Sequence, residues 1–179
     1  MKKHLIRFII FVGVVCLAAF YIVNRLFPTT YSEYIDEAAE KYGVDNALIY
    51  SMINAESGFK SDAVSDAGAK GLMQITDSTA QWCAKELGYE DYDVFNPETN
   101  IDLGTFYFKF LLQRYGGDET LAVAAYNAGY GKVDEWLKKE SLSADGQTLS
   151  QIPYPETDRH IKKINFFRKV YDIILSHSS

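Results

Sequence analysis

The chain has 179 residues, 47% of them hydrophobic, and a formal net charge of −6 at pH 7. This length and apolar content suit one globular domain with a substantial core. Four of the 18 basic residues flank an apolar N-terminal run, so the rest of the chain has 14 basic residues and all 24 acidic ones. That acidic balance argues against nucleic acid or an anionic membrane surface as a partner of the domain.

The N-terminus has a basic start followed by an uninterrupted apolar run from Phe8 to Val23. A helix of that length spans roughly 24 Å, and flanking apolar residues bring it close to the ~30 Å of a hydrocarbon core. We therefore predict a transmembrane anchor within residues 1–27 and an outer domain over residues 28–179, with residues 28–30 as a short spacer. A cleaved signal sequence is the alternative interpretation, because small residues do occur within the run.

Charge asymmetry predicts the orientation of this anchor. Lys2, Lys3 and Arg7 precede the apolar run, whereas only Arg25 follows it. Positive charge is retained on the cytoplasmic side of membranes, so the N-terminus is expected in the cytoplasm. The outer domain is then expected outside the cell membrane.

The outer domain is predicted to be mainly α-helical, because apolar residues recur at three- and four-residue spacing and strand-like alternation of useful length is missing from its sequence. Helices are expected over residues 31–43, 46–58, 78–88, 97–115 and 119–129, with a short one at 133–137 and a last one after Pro155. Asp45 or Asn46 is the expected N-cap of the second of these. Residues 59–76 lose the helical period, and Leu72 to Ile75 are expected to form a short extended segment beside that helix.

Glu56 is an acid at a position where the helical pattern calls for a core residue. Leu48, Ile49, Met52 and Ile53 form an apolar stripe, and one further turn lands on Glu56. Burial and the negative end of the helix dipole both favour a protonated carboxyl. From periodicity alone, however, a surface glutamate at the end of an ordinary helix is the commoner case.

Residues that bind metals do not occur at the required spacing. The acidic residues Glu90, Asp91 and Asp93 lack the glycine and the closing glutamate of a calcium loop. His4 and His177 have no partners at ligand spacing. We therefore predict no metal site and no cofactor.

Four short motifs follow one another in the outer domain: ESGF at 56–59, GAKGLMQI at 68–75, AYNAG at 125–129 and IPYPET at 152–157. Their order and approximate spacing resemble the soluble lytic transglycosylase family, over roughly residues 31–175. One such motif is weak evidence, but four in order are strong. The resemblance implies a lysozyme-like α domain with a short extended or hairpin segment beside its cleft.

The resemblance also implies an activity and a partner, namely cleavage of the β-1,4 bond between N-acetylmuramic acid and N-acetylglucosamine in peptidoglycan. Glu56 matches the family's catalytic acid. It would protonate the glycosidic oxygen and then accept the proton of the muramic acid's own 6-hydroxyl, giving a 1,6-anhydro sugar without consuming water. The domain would then face the cell wall.

Five further residues match motif positions around the cleft and are expected to bind substrate: Ser57, Met73, Gln74, Tyr126 and Asn127. Two of them have equally simple structural explanations, because a hydroxyl commonly bonds to a helix end and a methionine commonly fills a core. A buried amide would need a partner, and for Gln74 we expect Glu56 or a sugar hydroxyl.

The sequence departs from the family pattern at His160. The family commonly has a tyrosine four residues after the glutamate of its PET motif, and here that position is His160. A histidine can still donate a hydrogen bond toward the acid or the substrate, but it can also change its charge near neutral pH. We include His160 among the expected substrate-binding residues; an exposed or structural histidine is the alternative.

Two other functions remain open from the sequence. Asp62 and Asp66 follow Glu56 in the next loop, and a second carboxylate that activates water would make the protein a hydrolase of the lysozyme type. A non-catalytic wall-binding component of a secretion or conjugation apparatus is the third possibility. An intact Glu56 argues against it, because a pure binder does not need a buried acid.

Overall fold

A computed structural model of the chain describes residues 2–177 and places eight helices within them. Met1, Ser178 and Ser179 lie outside the described residues, as do the side chains of Lys2 and Leu5, so the predicted role of Lys2 in orientation falls outside them too. The helices are α1 (Lys2–Leu26), α2 (Ser32–Tyr42), α3 (Asn46–Glu56), α4 (Asp77–Leu87), α5 (Pro97–Arg114), α6 (Glu119–Ala128), α7 (Tyr130–Leu137) and α8 (Pro155–Ser176). The predicted mainly α fold is confirmed.

Local sequence signals account for where these helices begin. Asp45 caps α3 by accepting a hydrogen bond from the backbone N–H of Leu48, so of the two expected caps Asp45 is the one used. Asn96 and Asp118 cap α5 and α6 in the same way. Such caps satisfy N–H groups that the first turn of a helix leaves unpaired.

The core surrounds α3 and α5. α3 packs against α8, while α5 packs against α2, α4 and α6. Eight consecutive residues of α3, from Ala47 to Asn54, are buried, so the buried surface of this helix is broader than the apolar stripe that periodicity predicted. This packing holds α3 on several sides and fixes the position of Glu56 at its end.

The segment between α3 and α4 differs from the expected extended piece. Residues 71–74 form a turn, and strand-like pairing in this part of the described chain consists of isolated bridges from Lys70 to Val64 and to Ile75. Asn100 of α5 holds the turn, because its Oδ1 accepts from the Met73 N–H at 2.7 Å and its Nδ2 donates to the Lys70 carbonyl at 3.1 Å. Side-chain hydrogen bonds thus replace a strand ladder here.

The apolar N-terminal helix is joined tightly to the rest of the chain. By length and composition, residues Ile6–Leu26 of α1 could cross a membrane. At its end the Asn54 Nδ2 donates to the Leu26 carbonyl at 2.8 Å, and the Tyr171 hydroxyl donates to the Pro28 carbonyl at 3.0 Å. The spacer expected at residues 28–30 is therefore held in place at its first residue.

Candidate active site

Glu56 lies at the last position of α3, with its side chain 14% exposed. His160 of α8 approaches it, and 3.1 Å separates the His160 Nε2 from the Glu56 Oε1. The approach is close in distance but poor in direction, since Nε2 is buried and makes no hydrogen bond of good geometry among the described residues. A buried ring nitrogen without a hydrogen-bond partner costs free energy. A small rotation of the His160 ring toward Glu56, or a ligand that bonds to Nε2, would therefore be favourable.

The end of α3 is completed by two donors. The Ser57 hydroxyl donates to the Ile53 carbonyl at 3.2 Å, and the Lys163 ammonium donates to the Ala55 carbonyl at 2.7 Å. The lysine satisfies a carbonyl that the last turn of a helix leaves unpaired, and its positive charge also suits the helix dipole. The Ile53 carbonyl already accepts the backbone N–H of Ser57, so the Ser57 hydroxyl adds a second hydrogen bond to it. Ser57 therefore makes the helix-end hydrogen bond that was its structural alternative.

Tyr126 connects α6 to the turn that follows Glu56 in the chain. Its hydroxyl donates to the Met73 carbonyl at 2.8 Å, and its ring lies 5.4 Å from the ring of Tyr107. Burial, and after it the negative charge of Glu56, holds the pKa of Tyr126 well above its ordinary value. The hydroxyl is therefore a neutral donor that lies within the electrostatic reach of Glu56.

Met73 and Gln74 both have partners within the protein. The Met73 side chain has no exposed surface, and it packs so closely on Gly104 that a Cβ there would come within 2.6 Å of its sulfur. This placement argues against contact between the Met73 side chain and substrate. The Gln74 amide donates to the carbonyls of Gly71 at 2.9 Å and Ala63 at 3.2 Å, so backbone groups rather than Glu56 are the partners of that amide nitrogen.

Asn127 links two of the sequence motifs. Its Oδ1 accepts a hydrogen bond from the Thr157 hydroxyl at 2.8 Å, although Asn127 itself is exposed. Thr157 is buried at the start of α8, three residues before His160. The contact therefore helps to place the N-terminal turns of α8, which carry His160, beside α6.

The structure has an aromatic groove of about 460 Å³ that no sequence motif located. Its lining consists of Ser78, Thr79, Trp82, Tyr107, Phe110 and Tyr130. Tyr107 also touches Tyr126, so the groove is connected through one ring contact to the surroundings of Glu56. The sequence is rich in aromatic residues, with 13 Tyr and 11 Phe, but this composition does not separate a groove from a core.

Comparison with known proteins gives a consistent set of relatives. A family model for the transglycosylase SLT domain matches residues 33–148. The chain is 34% identical over 167 residues to a putative soluble lytic murein transglycosylase of Haemophilus influenzae. The aligned region covers 90% of this chain and 28% of that protein. It is 33% identical over 165 residues to the membrane-bound lytic murein transglycosylase C of Sodalis glossinidius, and that alignment covers 76% of this chain and 45% of the relative.

Solved structures show the same similarity. An inactive mutant of the lytic transglycosylase Slt from Pseudomonas aeruginosa, with a glutamate replaced by glutamine, matches with a TM-score of 0.77 at 29% identity. That match covers 86% of this chain and 26% of the other. The 70-kDa soluble lytic transglycosylase of Escherichia coli matches with a TM-score of 0.74 at 29% identity, over 83% of this chain and 25% of that one. This chain thus spans less than half the length of each of these relatives.

Proposed function

The chain belongs to the transglycosylase SLT family, and from that premise we propose that it is a peptidoglycan lytic transglycosylase. The reaction is cleavage of the β-1,4 bond between N-acetylmuramic acid and N-acetylglucosamine, with 1,6-anhydromuramoyl ends as products. The mainly α, lysozyme-like fold and the nearly buried acid at the end of α3 support this function.

The observation that carries the proposal is the charge environment of Glu56. Among the described residues its one ion-pair partner is His160, whereas a lysine or arginine at this place would favour the ionised carboxylate. A histidine can be neutral, and a neutral neighbour leaves Glu56 free to carry the proton that a general acid needs.

Both chemical steps use the same carboxyl. Glu56 gives its proton to the glycosidic oxygen as the bond from that oxygen to C1 of the muramic acid breaks. The resulting carboxylate then takes the proton of the 6-hydroxyl while the 6-oxygen bonds to C1, so the acid is regenerated and no water is consumed. The 6-hydroxyl belongs to the same sugar, which gives it a high effective concentration.

The remaining candidates act at different distances from this chemistry. We assign Asn127, which is exposed, and His160 to contact with the sugar. We assign Tyr126 and Gln74 to holding the turn beside Glu56, with Met73 offering its carbonyl to Tyr126, and Ser57 to completing α3. The rings of the aromatic groove offer flat apolar faces of the kind on which sugars stack.

We also propose that residues 1–27 anchor the protein in the cell membrane, in a single pass, and that residues 28–179 form the catalytic domain on the side of the cell wall. The apolar helix Ile6–Leu26 supports this location, as does the similarity to transglycosylases named membrane-bound. The excess of basic residues before the span supports the orientation.

Product analysis tests the proposed reaction. The full chain in detergent micelles is expected to release anhydro-muropeptides from purified peptidoglycan, as identified by mass spectrometry. Reducing ends that incorporate oxygen from labelled water would instead indicate a hydrolase of the lysozyme type. No release at all, from protein with a cooperative unfolding transition, would favour a wall-binding component.

The exchange His160→Tyr tests whether charge at this position matters. A positive charge on an imidazole beside Glu56 favours the carboxylate over the carboxylic acid that the first step needs. Tyrosine can donate a hydrogen bond without becoming charged, and we therefore expect the variant to retain more of its activity at acid pH. The measurement is the pH profile of muropeptide release, with His177→Tyr at the other end of α8 as the matched control. Superimposable profiles would show that ionisation of His160 has no role.

A further inference from the structure

α8 carries an exposed face that the proposed reaction does not use. Five residues follow one another at helical spacing on this face, which we call the α8 outer face: Arg159, Lys162, Phe166, Lys169 and Ile173. All are exposed, and Phe166 at 59% and Ile173 at 63% belong with Val64 to the most exposed large apolar side chains outside α1. Basic and apolar residues on one helix side are typical of helices that lie at a membrane surface.

The candidate membrane span ends beside the middle of α8, the helix that carries the α8 outer face. Phe27 directly follows Leu26, and its ring meets the rings of Phe166 at 6.5 Å, Phe167 at 5.4 Å and Tyr171 at 5.7 Å. These three rings come from the middle of α8 rather than from one of its ends. If α1 crosses the membrane, the middle of α8 therefore lies at the height where the hydrocarbon core meets the headgroups.

We infer that the α8 outer face rests on the anionic headgroup surface of the membrane that α1 crosses, with Phe166 and Ile173 inserted among the lipids. The inference rests on the membrane anchor proposed above. The outer domain as a whole is acidic, which opposes adsorption of the domain at large, but charge on this face is of the opposite sign. The nearest acid on α8, Asp158, pairs with Lys162 at 2.7 Å, and among the described residues Arg159 and Lys169 have no ion-pair partner.

This arrangement gives the apolar side chains an environment that water does not. Phe166 and Ile173 lie two helical turns apart on the same face, and their exposure to water is unfavourable. At the interface between lipid and water, where aromatic rings and long basic side chains are enriched, their exposure is favourable. Arg159 and Lys169 lie on either side of Phe166 and can reach lipid phosphates with their charged groups while their methylene stems cover apolar surface. The span and the α8 outer face would thus hold the domain at two places.

Spin-label accessibility tests this inference in the full chain. The background is Cys16→Ser, since Cys16 lies in the span and Cys83 is fully buried. A label is attached to Ile173→Cys or Phe166→Cys, with Asp172→Cys as the matched exposed control on the neighbouring side of α8. The protein is reconstituted in vesicles of phosphatidylcholine and phosphatidylglycerol and separated from free protein by flotation.

We expect labels at 166 and 173 to collide more often with oxygen, which concentrates in lipid, than with a water-soluble nickel complex, and the label at 172 to show the reverse. The double variant Lys162→Glu, Lys169→Glu is expected to remove this difference. Protein that floats but shows water-exposed labels at 166 and 173 would overturn the inference and leave the anchor intact. Strong dipolar broadening between labels would overturn it in favour of contact with a second copy. If the protein does not float with the vesicles, the proposed membrane anchor is wrong, and with it this inference. That result would not bear on the proposed cleavage of peptidoglycan.

Discussion

Replacing Glu56 with glutamine is expected to lower peptidoglycan cleavage by about 10³-fold or more, because proton transfer by a positioned carboxyl contributes roughly 10² to 10⁴ in rate and Glu56 serves in both steps of the proposed reaction. The amide has nearly the same size and can still lie beside His160, but it neither gives a proton to the glycosidic oxygen nor takes one from the 6-hydroxyl. The measurement is the initial rate of anhydro-muropeptide release by the full chain in detergent.

The fold should survive this exchange. Glu56 is partly exposed at a helix end, and its one ion pair among the described residues is with His160, so the unfolding transition is expected to stay close to that of the original chain. Glu40→Gln is the matched control, since Glu40 is exposed on α2. Activity that remained at the original level would remove Glu56 from the mechanism. A lost unfolding transition would assign it a structural role instead.

Replacing Asn100 with alanine is expected to destabilise the domain by about 3–5 kcal/mol, because it leaves buried backbone groups without partners at a cost of roughly 1–3 kcal/mol each. Asn100 is fully buried, and its side chain serves the Met73 N–H and the carbonyls of Lys70 and Val94. Gly71 lies against it, since a Cβ on Gly71 would come within 2.3 Å of the Asn100 amide nitrogen.

The same exchange should also reduce cleavage, since the Met73 carbonyl that accepts the Tyr126 hydroxyl belongs to the turn that Asn100 holds. Chemical unfolding of the full chain in detergent, followed by near-ultraviolet circular dichroism, measures the change in stability. Asn165→Ala on the exposed side of α8 is the control and should change the free energy of unfolding by less than about 0.5 kcal/mol. If Asn100→Ala also changed the free energy of unfolding by less than about 0.5 kcal/mol, water or a rearranged loop would have to satisfy the backbone groups that Asn100 serves.

The helices were predictable because the signals that define them are local. Asp45 lies three residues from the N–H it caps, and the apolar residues of α3 recur within two turns. Even the unusual place of Glu56 followed from that short pattern. The chain therefore specifies where its elements begin and end with little help from distant residues.

Contacts around the site were harder to predict because they depend on tertiary packing. Glu56 and His160 are far apart in the chain, and only the packing of α3 on α8 brings them together. Gln74 adopts a positive φ of 49°, and its amide nitrogen donates to loop carbonyls rather than to Glu56. Asn100 gave no signal, because an asparagine within a helix is more often exposed than buried.

If α1 crosses the membrane, its direct attachment to α3 limits where the proposed cleavage can take place. Asn54 bonds to Leu26, the last residue of the span, and Glu56 lies two residues further along α3, about 3 Å along the helix axis. With the anchor in the membrane, there is no slack between Leu26 and the acid that could carry it outward into thicker layers of the wall. The enzyme would reach only the glycan closest to the membrane, and lateral diffusion in the bilayer would bring it to new bonds.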